Sequence, residues 1–183
     1  MKTLAERYVG FAQVRQSPVP KSGLTRVQTY EYCSEMISNS IQRYRKLGEM
    51  GQTTLLIRQD IAHWLRIYHE TMGACYREVG INFIKGKKDF EHVIPVAQLI
   101  GLLIADRMSI DEALRAPTCL LRARYHKQVD KRFQDTTPDL INFWQRYLLT
   151  IGNVKIETNE GDIIDMNLWN LNKHYEYITY IYS

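Results

Sequence analysis

Two short segments of the chain carry side chains whose types and spacing could perform hydrolytic chemistry. In the first segment, Glu91 directly precedes His92, and Pro95 follows three positions later. In the second, which lies 34 positions after His92, His126 precedes Asp130 by four residues, so both share one face of a helix. An imidazole supplies a base that titrates near neutral pH, and carboxylates and imidazoles together bind divalent cations. These residues therefore indicate metal-assisted hydrolysis by an activated water.

The order of these residues along the chain resembles that of the His-Asn-His, or ββα-metal, nucleases. In that family an acidic-His-x-x-Pro strand faces a second strand, and the helix that follows carries the last metal ligand. Glu91-His92-Val-Ile-Pro95 is similar to the first strand, Thr118-Cys-Leu-Leu-Arg122 to the second, and His126 lies in the segment that follows. The resemblance covers residues 85–132 and implies a small ββα unit at the centre of the chain.

The resemblance also implies a role for each residue. His92 would be the general base that deprotonates the water attacking a phosphodiester bond. Glu91 and His126 would bind a Mg²⁺ or Mn²⁺ ion, with Asp130 as a second candidate ligand from the helix. The cation would offset negative charge on the phosphorane and on the leaving oxygen. On this basis we expect a metal-dependent DNA endonuclease.

The chain departs from the family's pattern at two points. No asparagine occurs between Asn82 and Asn142, so the middle residue of the motif has no counterpart. Thr118 lies roughly where that residue would be expected and could be a substitute hydrogen-bonding group. A helical insertion separates the two histidine-bearing segments in place of the usual compact loop. The residue that orients the base in the family is therefore unassigned in this chain.

Basic residues flank both segments, as contacts with a phosphate backbone would require. Residues 152–183 carry a net charge of −3 and the first 151 residues a net charge of +7, which gives +4 for the whole chain. We expect DNA as the partner and the following phosphate contacts: Lys85, Lys87, Lys88, Arg115, Arg122, Arg124, Lys127 and Lys131. Solvated helix faces would give the same charge, so charge alone does not decide the function.

Two other functions are compatible with the same residues. One is a non-catalytic nucleic-acid-binding or regulatory protein, whose binding would weaken with salt and would not respond to EDTA or to loss of His92. The aromatic residues available to stack on bases would be Trp64, Tyr68, Tyr76 and Tyr125. The other is a helical interaction protein, whose apolar helix faces bury against a partner or in a homodimer. A third explanation gives the motif no chemistry: Glu91-His92 would be a surface pair, Pro95 a helix start and His126 a solvated residue in a basic helix.

Apolar periodicity predicts the two helices that begin the fold. Apolar residues recur at three- and four-residue steps over residues 30–44 and again over residues 61–79. These steps predict one helix over 29–48 and a longer one over 54–79, ended by Gly80. The loop between them is short, so we expect the two helices to pack antiparallel.

The remaining potential metal ligands are scattered. His63 and His69 lie six residues apart on the second helix and point to different faces, so they cannot bind one metal together. We expect both at the surface or at its boundary. Cys33, Cys75 and Cys119 are widely spaced and odd in number, which fits neither a zinc knuckle nor a disulfide framework. We expect three free thiols in a reducing compartment.

The rest of the chain alternates short strand and helix patterns. It predicts strands at 81–84 and 90–94, a helix over 96–107 after Pro95, a short helix started by a capping box at 109–112, a strand at 118–122, helices over 125–133 and 136–149, and a hairpin over 154–165. We therefore expect a mainly helical α+β fold with a small central ββα-metal-like unit and a C-terminal β-hairpin. It would be a single domain built from residues 1–80, 81–135 and 136–183.

The composition is that of a globular protein. Of 183 residues, 45% are hydrophobic and 24% are charged, with only ten Gly and five Pro. Charges at Lys2, Glu6 and Arg7 argue against a signal peptide, and the longest apolar stretch, 96–105, is too short to cross a bilayer. We expect a soluble, cytoplasmic protein that makes no membrane contact. The chain has no GxxxxGK[ST], GxGxxG, GxSxG or HExxH motif, so the enzyme classes that use them gain no support.

Overall fold

The computed structural model of the protein describes residues 23–51, 54–83, 86–152 and 154–182, with side chains to residue 179. In these ranges seven α-helices surround a four-stranded sheet, which confirms the predicted mainly helical α+β fold. In chain order the elements are α1 Arg26–Glu49, α2 Leu55–Met72, β1 Tyr76–Glu78, a 3-10 turn Ile81–Phe83, β2 Lys88–His92, α3 Val96–Ile104, α4 Ile110–Leu114, β3 Thr118–Arg122, α5 Ala123–Phe133, α6 Gln145–Leu148, β4 Ile156–Thr158 and α7 Leu171–Tyr182. No helix within these ranges is long and apolar enough to cross a membrane. Lys85, a predicted DNA contact, lies outside the described residues.

α1 and α2 form the antiparallel pair that the sequence predicts. The rings of Tyr30 and Tyr68 lie 5.8 Å apart, and those of Tyr32 and Trp64 lie 5.3 Å apart. Because the contacts move toward the start of α2 as they move toward the end of α1, the two helices run in opposite directions. The face of α1 that carries Ile37 is fully buried in the core. Each buried aliphatic side chain of this kind contributes roughly 1.5–3 kcal/mol to folding. The pair packs in turn against α3 and α4.

α2 is shorter than predicted, and its predicted extension to Val79 was wrong. The helix ends at Met72 because Gly73 takes a φ of 87°, which glycine adopts at little cost. The next residues form β1, which pairs with strands on both sides. These two pairings outweigh the helical spacing of the apolar residues in this segment.

His69, in the last turn of α2, is buried and not at the surface as expected. Its Nε2 lies 3.1 Å from the carbonyl oxygens of both Ala113 and Leu114, to which it donates a hydrogen bond. Burial lowers the pKa of His69 to about 4, so the ring is neutral at pH 7. His69 thus ties the end of α2 to the end of α4, whereas His63 is exposed.

The sheet has the strand order β2-β3-β1-β4. β2 and β3 are antiparallel, with Glu91 opposite Cys119, while β1 runs parallel to β3 and antiparallel to β4. β3 spans the predicted residues, but β2 begins and ends two residues earlier than predicted. Val93 and Ile94, which the prediction placed in the strand, are instead buried in the connection to α3.

Two other predicted elements were wrong. The segment predicted as a strand at 81–84 begins with a 3-10 turn, in which Ile81 packs over the sheet against Leu120. The helix predicted over 136–149 is helical only in α6. The Asp139 carboxylate accepts hydrogen bonds from the backbone N–H groups of Ile141 and Asn142, which stabilises a turn in place of a helix.

The predicted C-terminal hairpin is present, with short strands. Glu157 of β4 lies opposite Ile163, and the Thr158 N–H donates to the carbonyl oxygen of Asp162 across the turn. Gly161 takes a φ of 96° in this turn, which favours glycine there. The hairpin adds β4 to the edge of the sheet next to β1.

A chain of hydrogen bonds fastens α7 to the sheet. The Trp169 indole N–H donates to Tyr76 Oη over 2.8 Å, and the Tyr76 hydroxyl donates to His174 Nδ1 over 2.7 Å. His174 Nε2–H then donates to the Arg115 carbonyl oxygen over 2.7 Å. This chain requires a neutral His174 with its proton on Nε2. Burial lowers the pKa of His174 from 6.5 to about 4 and so favours that form.

His174 should make the stability of the fold depend on pH. Its pKa is about 4 in the folded protein and 6.5 ordinarily, so the unfolded state binds more protons between these two values. Its contribution is complete above pH 6.5 and is lost as the pH falls toward 4, by up to ~3 kcal/mol. Urea titrations should therefore show the difference in free energy of unfolding between wild type and His174→Gln shrinking from pH 7 to pH 4. His63→Gln should show no such trend, and a constant difference for His174→Gln would contradict the neutral ring.

Candidate metal centre

β2, β3 and α5 form a ββα unit around the segments singled out in the sequence. β2 pairs antiparallel with β3, and α5 begins at Ala123 directly after β3. Side chains alternate across a strand, so Asp89 and Glu91 project from the same side of β2. His126 and Asp130, one helical turn apart on α5, contact this side. The unit is therefore present, with α3 and α4 inserted between its two strands.

The three side chains predicted as metal ligands converge at one point. His126 Nε2 lies 2.6 Å from Glu91 Oε2 and 3.0 Å from Asp130 Oδ2. One donor atom from each of the three lies within 4.8 Å of the other two, a spacing that allows all of them to bind one cation. In the described part of the chain no other group of three or more His, Cys, Asp or Glu side chains meets this condition.

The charges of the cluster are complementary. His126 Nδ1 lies 3.3 Å from Asp89 Oδ2, so the imidazole contacts carboxylates through both nitrogens. The hydrogen bond with Glu91 is the main cause that raises the pKa of His126 to about 9; burial opposes it, and the charge of Asp130 adds to it. Without a cation the ring is therefore protonated at neutral pH. A cation bound at Nε2 would displace that proton.

A buried arginine, Arg146, forms an ion pair with Glu91 on the inner side of the cluster. The Arg146 side chain is only 1% exposed, and its Nη1 lies 2.8 Å from Glu91 Oε1. The same Nη1 donates to the carbonyl oxygen of His92, and Nη2 donates to that of Phe133, each over 2.8 Å. Nη2 also lies 3.7 Å from Asp130 Oδ1. Arg146 thus joins the end of β2 to the end of α5 and holds one oxygen of Glu91 while the other faces His126.

Sequence reasoning missed Arg146 and Asp89. Arg146 lies in an aromatic segment in which Phe143, Trp144 and Tyr147 are fully buried. A cation in such a segment needs a buried anion, and this was the available signal. Asp89 lies two residues before Glu91, so strand alternation would have placed it beside the predicted ligands.

His92, the predicted general base, is half-buried and lies on the opposite side of β2 from Glu91. Its Nε2 is enclosed and has no hydrogen-bond partner, and its ring lies 5.0 Å from that of His69 and 5.4 Å from that of Phe90. Burial, and secondarily the neighbouring His69, hold the pKa of His92 well below its ordinary value of 6.5. The ring is therefore neutral at pH 7, and part of it lines the same pocket as the cluster.

The cluster opens into a pocket of about 340 Å³. Its walls include Glu91, His126 and Asp130 together with Arg66 and Glu70 of α2. The first turn of α3 also contributes to the lining. Since the three candidate ligands leave positions on a cation vacant, water or a small anionic group could reach it through this opening.

Three of the predicted phosphate contacts share one exposed side of α5. Arg124, Lys127 and Lys131 are exposed and follow each other at three- and four-residue steps. Helical geometry places this side next to the one that carries His126 and Asp130. A basic stripe therefore borders the candidate metal centre.

The other predicted phosphate contacts have different environments. Arg115 forms an ion pair with Asp111, and Arg122 forms one with Glu78; neither arginine lines the pocket. At the start of β2, Lys87 is exposed and lies 3.6 Å from an Asp89 oxygen. Lys88, the first residue of β2, is half-buried.

Several groups proposed for other roles are part of the core. Tyr68 and Tyr76 are buried, so they are not available to stack on bases, whereas Trp64 and Tyr125 are partly exposed. The Thr118 hydroxyl is also buried, where it donates to the Gly73 carbonyl oxygen and accepts from the backbone N–H of residue 75. Thr118 therefore supports the join between α2 and β1 and makes no contact with the cluster.

Comparison of the chain with models of protein families, with curated proteins and with solved structures found no match. The function is therefore argued from the geometry and chemistry of these residues.

Replacing Arg146 should cost much of the stability of the fold. Arg146→Met leaves the buried carboxylate of Glu91 with His126 as its charge partner and removes the donor to the carbonyl oxygens of His92 and Phe133, which should lower the free energy of unfolding by about 3–5 kcal/mol. Adding Glu91→Gln to this variant should restore part of the loss, because the carboxylate that lost its guanidinium partner is then replaced by a neutral amide. Urea denaturation in EDTA measures both effects. Arg132→Met, on the exposed side of α5, is the control and should cost less than about 1 kcal/mol; an equally small cost for Arg146→Met would contradict the buried ion pair.

Proposed function

We propose that the protein is a metal-dependent nuclease that hydrolyses phosphodiester bonds in DNA, with Mg²⁺ or Mn²⁺ as its cofactor. The observation that carries the proposal is the convergence of Glu91, His126 and Asp130 within a ββα unit, at the wall of an open pocket. These residues are the ones that the resemblance to the ββα-metal nucleases identifies as ligands. Two carboxylates and one imidazole suit Mn²⁺ well and allow Mg²⁺.

The charge of the cluster supports a divalent cation. With His126 neutral, the carboxylates of Asp89, Glu91 and Asp130 outnumber the single guanidinium of Arg146 and leave two negative charges. A divalent cation offsets this excess of negative charge, which lowers the cost of holding these groups close together in a partly buried site. When bound, the cation would polarise a phosphoryl oxygen and lower the pKa of a coordinated water.

His92 is the proposed general base. A base must be unprotonated at working pH, and the depressed pKa of His92 meets that requirement. Nε2 is enclosed and His92 is among the residues that line the pocket, so we assign proton acceptance to Nδ1. A depressed pKa also makes His92 a weak base, which is sufficient for a water already acidified by a cation.

The basic stripe of α5 supports DNA as the substrate. Arg124, Lys127 and Lys131 are exposed, and none of them has a carboxylate partner among the ion pairs of the described residues. Cations in this position can hold the backbone on one side of the scissile phosphate while the metal centre contacts the phosphate itself. We also propose a reducing compartment such as the cytoplasm, because Cys33 and the other two cysteines are buried free thiols.

Plasmid nicking in Mg²⁺, Mn²⁺ or EDTA tests the proposed activity. We expect nicking with a metal and none in EDTA. His126→Ala and Glu91→Gln should lose both metal binding and nicking, because each removes a ligand. His92→Ala should bind metal normally but nick about 10²–10⁴-fold more slowly, since only the base is lost. Circular dichroism should show that each variant is folded.

The matched control is His63→Ala, which removes an exposed histidine of α2 and should nick like the wild type. Nicking that survives His126→Ala would overturn the metal centre as the source of activity. Intact plasmid in every metal, together with salt-sensitive DNA binding, would favour the non-catalytic nucleic-acid-binding protein instead.

DNA binding should depend on the basic stripe of α5. Replacing Arg124, Lys127 and Lys131 with Ala removes three phosphate contacts, so the slope of log K against log salt concentration should fall in magnitude by roughly 2–3. Fluorescence anisotropy with a labelled duplex at several salt concentrations gives this slope. Replacing Arg43, Lys46 and Lys173, which are exposed elsewhere, makes the same change in net charge and should leave the slope nearly unchanged. Equal effects from the two triple variants would show that only net charge matters.

A further inference from the structure

His126 contacts carboxylates through both ring nitrogens, but only one nitrogen can face a given cation. Nε2 lies near Glu91 Oε2 and Asp130 Oδ2, the donor atoms that converge with it. Nδ1, on the other edge of the ring, lies 3.3 Å from Asp89 Oδ2. Asp89 is therefore beside the candidate metal centre without belonging to its ligand set.

Asp89 is held in a defined position. It lies in β2, where its backbone pairs with Leu121 of β3, and its side chain is 18% exposed. Its two oxygens have separate partners, because Oδ1 lies 3.6 Å from Lys87 Nζ while Oδ2 faces His126. The carboxylate is thus fixed from the strand side before any cation binds.

We propose that Asp89 is a positioning residue that orients His126 as a metal ligand and makes the site favour Mn²⁺ over Mg²⁺. This inference rests on the proposed metal centre. With a cation at Nε2, the ring keeps its proton on Nδ1 and donates it to Asp89 Oδ2. The hydrogen bond fixes the tautomer and the ring plane, and it makes Nε2 a stronger electron donor.

Arg146 does the same for the second ligand from the opposite side. It holds Glu91 Oε1 and leaves Oε2 directed at the point where the donor atoms converge. Both ligands are thus oriented by residues that do not bind the metal. This arrangement reduces the rearrangement that a cation must impose and so favours tight binding.

The selectivity follows from the chemistry of the donor. Imidazole nitrogen binds Mn²⁺ better than Mg²⁺, which prefers oxygen ligands and retains its water shell. A change that weakens only the imidazole should therefore weaken Mn²⁺ binding more than Mg²⁺ binding. A general loss of negative charge in the pocket should weaken both alike.

Calorimetric titration of Mn²⁺ and of Mg²⁺ into the metal-free protein tests the proposal. We expect Asp89→Asn to weaken Mn²⁺ binding by about 10–100-fold, the range typical of lost partners of metal ligands, and Mg²⁺ binding by less. Asp135→Asn is the matched control, because this substitution removes the same charge from the same pocket. Asp135 forms none of the ion pairs of the cluster. It should change both affinities only slightly and leave their ratio unchanged.

Nitrogen-15 NMR of histidine in the Zn²⁺-loaded protein gives a second readout. This signal should stay unchanged in Asp89→Asn if Asp89 only stabilises the fold. In the wild type, His126 should show Nε2 bound to the metal and a protonated Nδ1 with a slowed exchange rate. In Asp89→Asn the Nδ1 proton should exchange faster, while the melting temperature without metal stays close to that of the wild type.

The outcomes separate this inference from the proposed function. Metal binding without nicking would overturn the nuclease and leave the role of Asp89 standing. Unchanged Mn²⁺ affinity in Asp89→Asn, an equal loss for both metals, or ligation through Nδ1 would overturn the role of Asp89 even in an active nuclease. A wild type that binds none of the three metals would overturn both.

Discussion

The arrangement of the candidate site depends on the buried ion pair between Arg146 and Glu91. A guanidinium removed from water costs several kcal/mol unless charges and hydrogen-bond acceptors surround it. Arg146 meets this requirement with Glu91, with the carbonyl oxygen of His92 at the end of β2, and with that of Phe133 at the end of α5. Satisfying one cation therefore brings β2, α5 and α6 together, and the same contacts fix the carboxylate that faces His126. Packing of the fold and geometry of the site have a common cause.

The parts of the fold that could be predicted are those whose signals are local. The capping box at Ser109 forms with Glu112 as the sequence indicates, and β3 occupies its predicted residues. The errors arose where another interaction outweighs the apolar spacing, either pairing with a distant strand or a hydrogen bond from a nearby side chain. Helical spacing continues past Gly73, yet pairing on both sides makes that segment a strand. Around Asp139, a side chain that binds its own backbone replaces the helix that the apolar spacing favours.

The residues of the candidate site could likewise be predicted only in part. The resemblance to the ββα-metal nucleases pointed to Glu91 and His126, and the four-residue step from His126 to Asp130, which puts both on one helix face, added Asp130. Arg146 could not be placed, because its partners Phe133, His92 and Glu91 lie 13, 54 and 55 residues away along the chain. The enclosure of His92 Nε2 beside His69 likewise depends on how α2 packs against β2, which no local pattern in the sequence records.

The side chains of the cluster are already paired with one another without a cation, and this bears on how a metal would be used. Without one, the protonated His126 pairs with Glu91, Asp89 and Asp130, so each of these carboxylates already has a charge partner. Small zinc domains behave differently, because their binding free energy is their folding free energy. Here a divalent cation would take the place of one proton, in a site already oriented by Arg146. A bound cation would then serve chemistry at the pocket, because contacts within the chain already orient the residues that would hold it, as expected of a catalytic centre.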